Sequence, residues 1–414
     1  MTDELVRPTH RLWLAQHTLG LLAFGRRSPH PDGGARWLDD QGAPRDDLPT
    51  YTWITGRMVH VYSVGALLGV PGAAPVAERA LAGLTGRLRD RDDGGWYHAL
   101  APDGAPEPGK ECYDHAFVLL AAASASQAGL GGAESLLADA QRTFLDRFWD
   151  EEAGMCADRW DTSFTTRDPY RGLNANMHSV EAMLSVAGVT GDRAWMDRAA
   201  RVCRFVADSA RAHSWRLPEH YDSAWTPLLE YNRDRPDDQF KPFGATVGHG
   251  VEWSRLFLHL EAALAPEPAP WLPDAATRLF DRAVADGWDA DGRPGFVYTT
   301  DWDGTPVVRD RLHWVVAEAI NAAAAFHRRT GHERYAALYR AYLDYADQYL
   351  IDHDHGSWHH QLAPDNAPND SVWSGKPDIY HVFQATLGPR LPLYPMLATA
   401  VAEGHLDEAA GTAD

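Results

Sequence analysis

Side chains able to do chemistry recur down this chain at a regular interval. Arg57, His115, His178, His249, Trp314 with Glu318, and His381 stand roughly 60 to 70 residues apart, each inside an otherwise apolar stretch. That interval is the length of two helices with their connections. Helical periodicity and the breakers between segments predict helices over 10–24, 52–68, 77–90, 113–125, 134–148, 176–186, 195–211, from Gly248 onward, and over 275–286, 312–326, 335–350 and 379–387. A last helix near 394–403 is expected to pack underneath, and a short hairpin is expected around Asp291 and Gly292. Only the even-numbered helices carry the chemistry. The odd ones carry charges such as Arg198, Arg201 and Arg204, which suit a water-facing surface. Six helical hairpins closed on themselves place every even helix in an inner ring and gather its polar residues at one pocket. The expected architecture is therefore an all-α (α/α)6 barrel, one domain over residues 1–414. An open solenoid has the same period but gives no reason for chemistry on alternate helices.

The run Gly248-His249-Gly250-Val251-Glu252-Trp253-Ser254-Arg255-Leu256 is the most informative of the six. In a helix, His249, Glu252 and Trp253 leave from one face, at i, i+3 and i+4. Leu256 and Leu260 continue that face and Val251, Leu258 and Ala262 form a second apolar stripe, so the helix is expected to be buried. A buried Glu252 needs a partner, and His249 or its neighbours are the nearest by sequence.

Composition narrows the function classes. The chain has 414 residues, 45% of them hydrophobic, and its 16 tryptophans are flat apolar faces of the kind that pack on sugar rings. A net charge of −20 opposes nucleic acid and anionic membranes. Cys112, Cys156 and Cys203 show no paired spacing and read as reduced thiols. Residues 1–8 carry acids and no apolar core, so no secretory leader is expected, and no run has the length of a membrane span. The expectation is a cytoplasmic protein, monomeric or homo-oligomeric. The segment 217–244, with four prolines and no helical period, is long enough for a functional loop.

Five motifs carry a resemblance. They are Trp53-Ile54-Thr55-Gly56-Arg57-Met58-Val59-His60-Val61-Tyr62-Ser63, Gly94-Gly95-Trp96-Tyr97, Asn174-Ala175-Asn176-Met177-His178-Ser179-Val180-Glu181, Gly248 to Trp253, and Lys376-Pro377-Asp378-Ile379-Tyr380-His381. In this order, over nearly the whole chain, they resemble the N-acylglucosamine 2-epimerase superfamily and within it the aldose–ketose isomerases. The resemblance implies an (α/α)6 barrel and interconversion of a hexose at C1 and C2 without metal or cofactor. It implies His249 and His381 as the acid/base pair, with Arg57 and His178 on the substrate.

Those residue types suit the chemistry. Moving hydrogen between C2 and C1 requires removal of a proton beside a carbonyl, and a group titrating near neutrality can take and return it. His381 is assigned the carbon-bound proton and His249 the oxygen side, a division the residues alone leave exchangeable. Arg57 can hydrogen-bond the developing enediolate, and Glu252 and Glu318 can fix the histidine tautomers. Asp378 is a weaker member of the same group. His178, Asn176, Gln361 and His115 are expected to line the sugar pocket, with Trp53, Trp314, Trp358 and Trp373 as stacking faces.

The His353, His355, His359 and His360 cluster lacks metal-ligand spacing and reads as a solvated loop. The loop Gln239-Phe240-Lys241-Pro242-Phe243 is not arginine-rich, and Pro377 stands where sulfosugar isomerases carry glutamine. Both departures favour a neutral hexose, D-mannose to D-fructose, with lyxose to xylulose as a side activity. Isomerisation of a sulfonated hexose, through Lys241, and 2-epimerisation are the alternatives. An inverting hydrolase would need Glu252 and Glu318 roughly 6.5–9.5 Å apart, and a non-catalytic partner-binding role fits poorly with two histidines in catalytic positions.

Overall fold

The computed structural model describes residue 5 and residues 7–408; most of the segment 1–8, on which the expectation of no leader rests, lies outside them. Thirteen α-helices form among the described residues: α1 Pro8–Gly25, α2 Thr52–Leu67, α3 Ala73–Thr85, α4 Cys112–Gln127, α5 Ala133–Thr143, α6 Leu173–Thr190, α7 Ala194–Ala212, α8 Val247–Ala263, α9 Trp271–Gly287, α10 His313–Thr330, α11 Glu333–Tyr345, α12 Tyr380–Leu387 and α13 Leu397–Ala402. Each even-numbered helix up to α12 packs on the next, and α12 returns to α2. On the outside α3 backs α2, α5 backs α4, α7 backs α6, α9 backs α8, α11 backs α10, and α1 backs α12. This is the (α/α)6 barrel.

Burial follows the two sequence patterns. In α2, 14 of 16 residues are buried, whereas α7 buries only Trp195, Met196, Ala199, Val202, Cys203, Val206, Ala207 and Ala210. Those eight recur at helical spacing on one stripe, which is the signature of a helix with one wet face. Arg201 and Arg204 are exposed on the opposite side. Small residues let the inner helices approach closely: a Cβ at Gly56 in α2 would lie 2.8 Å from the Phe117 carbonyl oxygen of α4.

Two-residue strands brace one end of the ring. The pairs at 50–51, 110–111, 171–172, 245–246 and 311–312 immediately precede α2, α4, α6, α8 and α10, and each bonds antiparallel to a segment two helices further on. Five inner helices therefore start at a fixed height, with their N-terminal turns facing one mouth. The expected hairpin near Asp291 exists as a bridge between Trp288 and Phe296. At the other end α13 packs on α2, α4 and α6 and closes the floor. No helix is long and apolar enough to cross a membrane.

Candidate active site

The braced end holds a cavity lined by the first turns of the inner helices and the loops above them. Arg57, His178, His249, Glu252, Trp314 and His381 all reach it. Residues separated by more than a hundred positions thus share one cup.

His381 is fully positioned. Its Nδ1 lies 2.9 Å from Glu318 Oε1, and its Nε2 lies 3.4 Å from Arg57 Nη2. A guanidinium only donates, so Nε2 accepts and Nδ1 carries the proton toward Glu318. The unprotonated Nε2 therefore stands on the cup side, its lone pair turned toward Arg57. Burial, then the Arg57 cation, push the His381 pKa well below its ordinary value, so the ring is neutral near pH 7. Glu318 is in turn held by Arg255, whose Nε and Nη2 lie 2.9 and 2.7 Å from Oε2.

His249 has a different support from the one expected. Its Nδ1 stands 3.0 Å from Glu219 Oε1 as an ion-pair contact, and neither atom has a hydrogen-bond partner among the described residues. Glu219 is buried and belongs to the long loop, just before the strand at 220–221. Glu252 instead lies 4.0 Å from His178 and 3.7 Å from Arg255. Trp314 stands between the two histidines, its ring centre 5.2 Å from that of His249 and 5.8 Å from that of His381.

Arg57 donates to Asp378 Oδ2 at 3.0 Å and to the Tyr113 hydroxyl at 2.8 Å, under the rings of Trp53, Phe117 and Tyr380. These contacts fix the cation beside His381 rather than letting it swing to solvent. Glu252 is the opposite case: it is buried, neither oxygen has a hydrogen-bond partner among the described residues, and burial and the nearby Glu318 raise its pKa well above the carboxylate range. Two carboxyls this close do not both ionise. Glu318 has the cation and the imidazole, so Glu252 is the neutral acid.

Three expected pocket residues lie elsewhere. His115 donates from Nδ1 to the Glu111 carbonyl at 2.7 Å and accepts from the Trp96 amide at 3.2 Å, packed on Phe148; it is a satisfied core histidine, and burial pushes its pKa down to about 3. Asn176 is buried and bonds the Cys156 amide and the Gly172 carbonyl at 2.8 Å each, tying α6 to the preceding loops. Its place is taken by Asn174, two residues earlier, which lines the cup. Gln361 accepts from the amides of Val372 and Trp373 at 3.0 and 2.9 Å and donates to Asp310, so it shapes the loop that brings Trp373 to the cup. Of the stacking faces, Trp314 and Trp373 line the cup, whereas Trp53 lies beneath Arg57 and Trp358 donates to His17 in the core.

Sequence reasoning passed over Tyr113, Tyr298 and His313 and treated His360 as loop. All four line the cup. His313 Nδ1 faces the His360 carbonyl at 3.1 Å, the two imidazoles stack with centres 3.7 Å apart, and burial lowers His313 to about 4. The rest of the histidine-rich loop turns away: His355 lies 3.5 Å from Asp352, which Lys376 engages at 2.6 Å. Among the described residues, potential metal ligands converge only as His178, Glu181 and Glu252 and as Glu252, Glu318 and His381. In the second group the ligand atoms lie within 4.8 Å of one another. Glu252 and Glu318 are thus too close for the inverting hydrolase geometry.

Residues 33–385 match the N-acylglucosamine 2-epimerase family. A D-mannose isomerase of Thermobifida fusca is 49% identical over 405 residues, covering 97% of this chain and 99% of that protein. A second D-mannose isomerase, from Pseudomonas cannabina pv. alisalensis, is 44% identical over 95% of this chain and 96% of its own length. The crystal structure of a D-mannose isomerase superposes with a TM-score of 0.86 at 28% identity, over 94% of this chain and 99% of that one. With its barrel, its cup and a match spanning most of its length, the chain belongs to the N-acylglucosamine 2-epimerase family.

Proposed function

We propose that the protein is an aldose–ketose isomerase that interconverts D-mannose and D-fructose, with lyxose and xylulose as a slower pair. The observation that carries this reading is the unprotonated Nε2 of His381 beside the Arg57 cation, with His249 in the same cup. With the open-chain aldose bound, His381 takes the proton from C2, and the electron pair forms the C1–C2 double bond as the carbonyl π pair moves to O1. Arg57 stabilises that oxyanion. His249, with Glu219 3.0 Å from its Nδ1, moves the hydroxyl proton from O2 to O1. His381, its held proton exchanged with solvent, protonates C1 and leaves the carbonyl at C2, so bonds and electrons balance and no cofactor or metal takes part.

A neutral sugar fits the charges. Apart from its histidines, Arg57 is the one cationic side chain among the described residues lining the cup, and Asp378 already neutralises it. Lys241, which a sulfonate would need, faces the neighbouring cavity, 3.9 Å over the Tyr170 ring and 3.8 Å from Asp158. Mannose incubated with the enzyme and a chelator in deuterated water tests the reading. Fructose carrying deuterium at C1 supports it, whereas glucose as product assigns a 2-epimerase and loss of turnover restored by added metal overturns the histidine mechanism. A preference for sulfoquinovose over mannose would refute the choice of a neutral sugar.

A further inference from the structure

Beneath the cup, on the same barrel axis, is a second cavity. The inner helices reach it one turn further along: Arg57 is followed three residues later by His60, His178 by Glu181, Glu252 by Arg255, Glu318 by Asn321, and His381 by Gln384. Each of these second residues lines the lower cavity, whose floor is the segment 391–397. Its free volume, about 40 Å³, is close to the 50 Å³ of the cup. Polar groups in such a place are satisfied within the protein or by something bound.

Several are satisfied. Gln384 donates to Glu181 at 2.9 Å, and His259 gives its Nδ1 proton to the Leu393 carbonyl. Others are not. Asn321 is 4% exposed, and neither its amide nitrogen nor its oxygen has a partner among the described residues. His60 is 2% exposed, and its tautomer is fixed: Ser124 donates its only proton to the Leu120 carbonyl at 2.9 Å, so the 2.7 Å contact with His60 Nδ1 has the imidazole as donor. His60 Nε2 is therefore a bare acceptor, buried and unpartnered.

We propose that this lower cavity is a second, non-catalytic binding site for a small uncharged polyol. The unpartnered set contains two acceptors, His60 Nε2 and Asn321 Oδ1, and a donor, Asn321 Nδ2, which hydroxyl groups answer on both counts. An anion would face both lone pairs and Glu181, and a cation would face Arg255. Leu120, Leu391 and Met396 supply apolar walls for the carbon chain. A ligand here borders Arg255, which holds Glu318 and through it His381. Occupancy is thereby coupled to the cup, a consequence that rests on the isomerase reading, whereas the binding itself does not.

Xylitol, which has no carbonyl to react, is the probe. In crystals of the full chain soaked in it, density for the polyol within hydrogen-bond reach of His60 Nε2 and Asn321 is expected, and it is lost in Asn321→Leu. Water alone in the lower cavity, or xylitol in the cup only, overturns the proposal. In solution, xylitol is expected to inhibit mannose turnover in a mixed pattern in the wild type and purely competitively in Asn321→Leu; pure competition in both overturns the coupling. Should Asn321→Leu fail to fold, Ala325→Phe, which fills the cavity from α10, replaces it in both measurements.

Discussion

At the scale of single residues, the site depends on which nitrogen of each histidine is free. His381→Ala and His249→Ala are each expected to abolish sugar isomerisation while leaving the thermal unfolding transition in place, because each removes a proton-transfer group rather than a packing element; turnover like the wild type in either variant refutes its role. The His381 pKa is depressed, so its basic form is fully present at neutrality and is lost only as pH falls through that lowered value. The acid limb of kcat/KM is expected below the ordinary histidine value of about 6.5. Arg57 is the second cause of that depression. In Arg57→Ala the limb should move upward while kcat falls by about 10²-fold or more; an unmoved limb would separate the two groups. His249, Glu252, Glu318 and His381 were all legible from the sequence, because each interrupts an apolar helical period. Glu219 was not, since it lies thirty positions before His249 in a loop without periodicity. Asn174 and Asn176 both precede the same histidine, and only the first turn of α6 decides which one points inward.

At the scale of elements, the sequence carries two periodic signals. The alternation of polar-bearing and one-sided helices yielded the inner and outer rings. The recurrence of polar residues three positions on, from His60 to Gln384, marks a second layer of the barrel in the same periodic pattern, which stands out only once the closed ring puts those residues at one level. Helix contacts are tightest where glycine stands. Gly56→Ala brings a Cβ within 2.9 Å of Phe117 backbone and side-chain atoms, which forces α2 and α4 apart one residue before Arg57. The expected cost is about 1–3 kcal/mol in denaturant unfolding, with a fall in kcat as Arg57 shifts. A variant as stable and active as the wild type would mean that the two helices yield without loss.

At the scale of the whole molecule, the barrel closes around charge rather than only around apolar side chains, and Arg255 is its centre. Glu318, Glu252 and Glu181 come from α10, α8 and α6, and all three weigh on Arg255, the first at 2.7 Å and the second at 3.7 Å. No sequence pattern places three carboxyls from separate helices around one guanidinium, because the arrangement exists only once the ring is closed. Arg255→Met keeps the volume and removes the charge, leaving buried carboxylates without a counter-ion. A loss of about 3–5 kcal/mol is expected at neutral pH. The sign with pH follows from the carboxyls. Arg255 lowers all three carboxyls, two of which burial has already raised, so without it their folded pKa values rise further, the folded variant binds more protons than the folded wild type, and it gains on the wild type as pH falls. The gap between variant and wild type should therefore narrow from pH 7 toward about pH 5. Denaturant unfolding of both proteins across that range measures it, and a gap independent of pH would mean that Arg255 acts through packing alone.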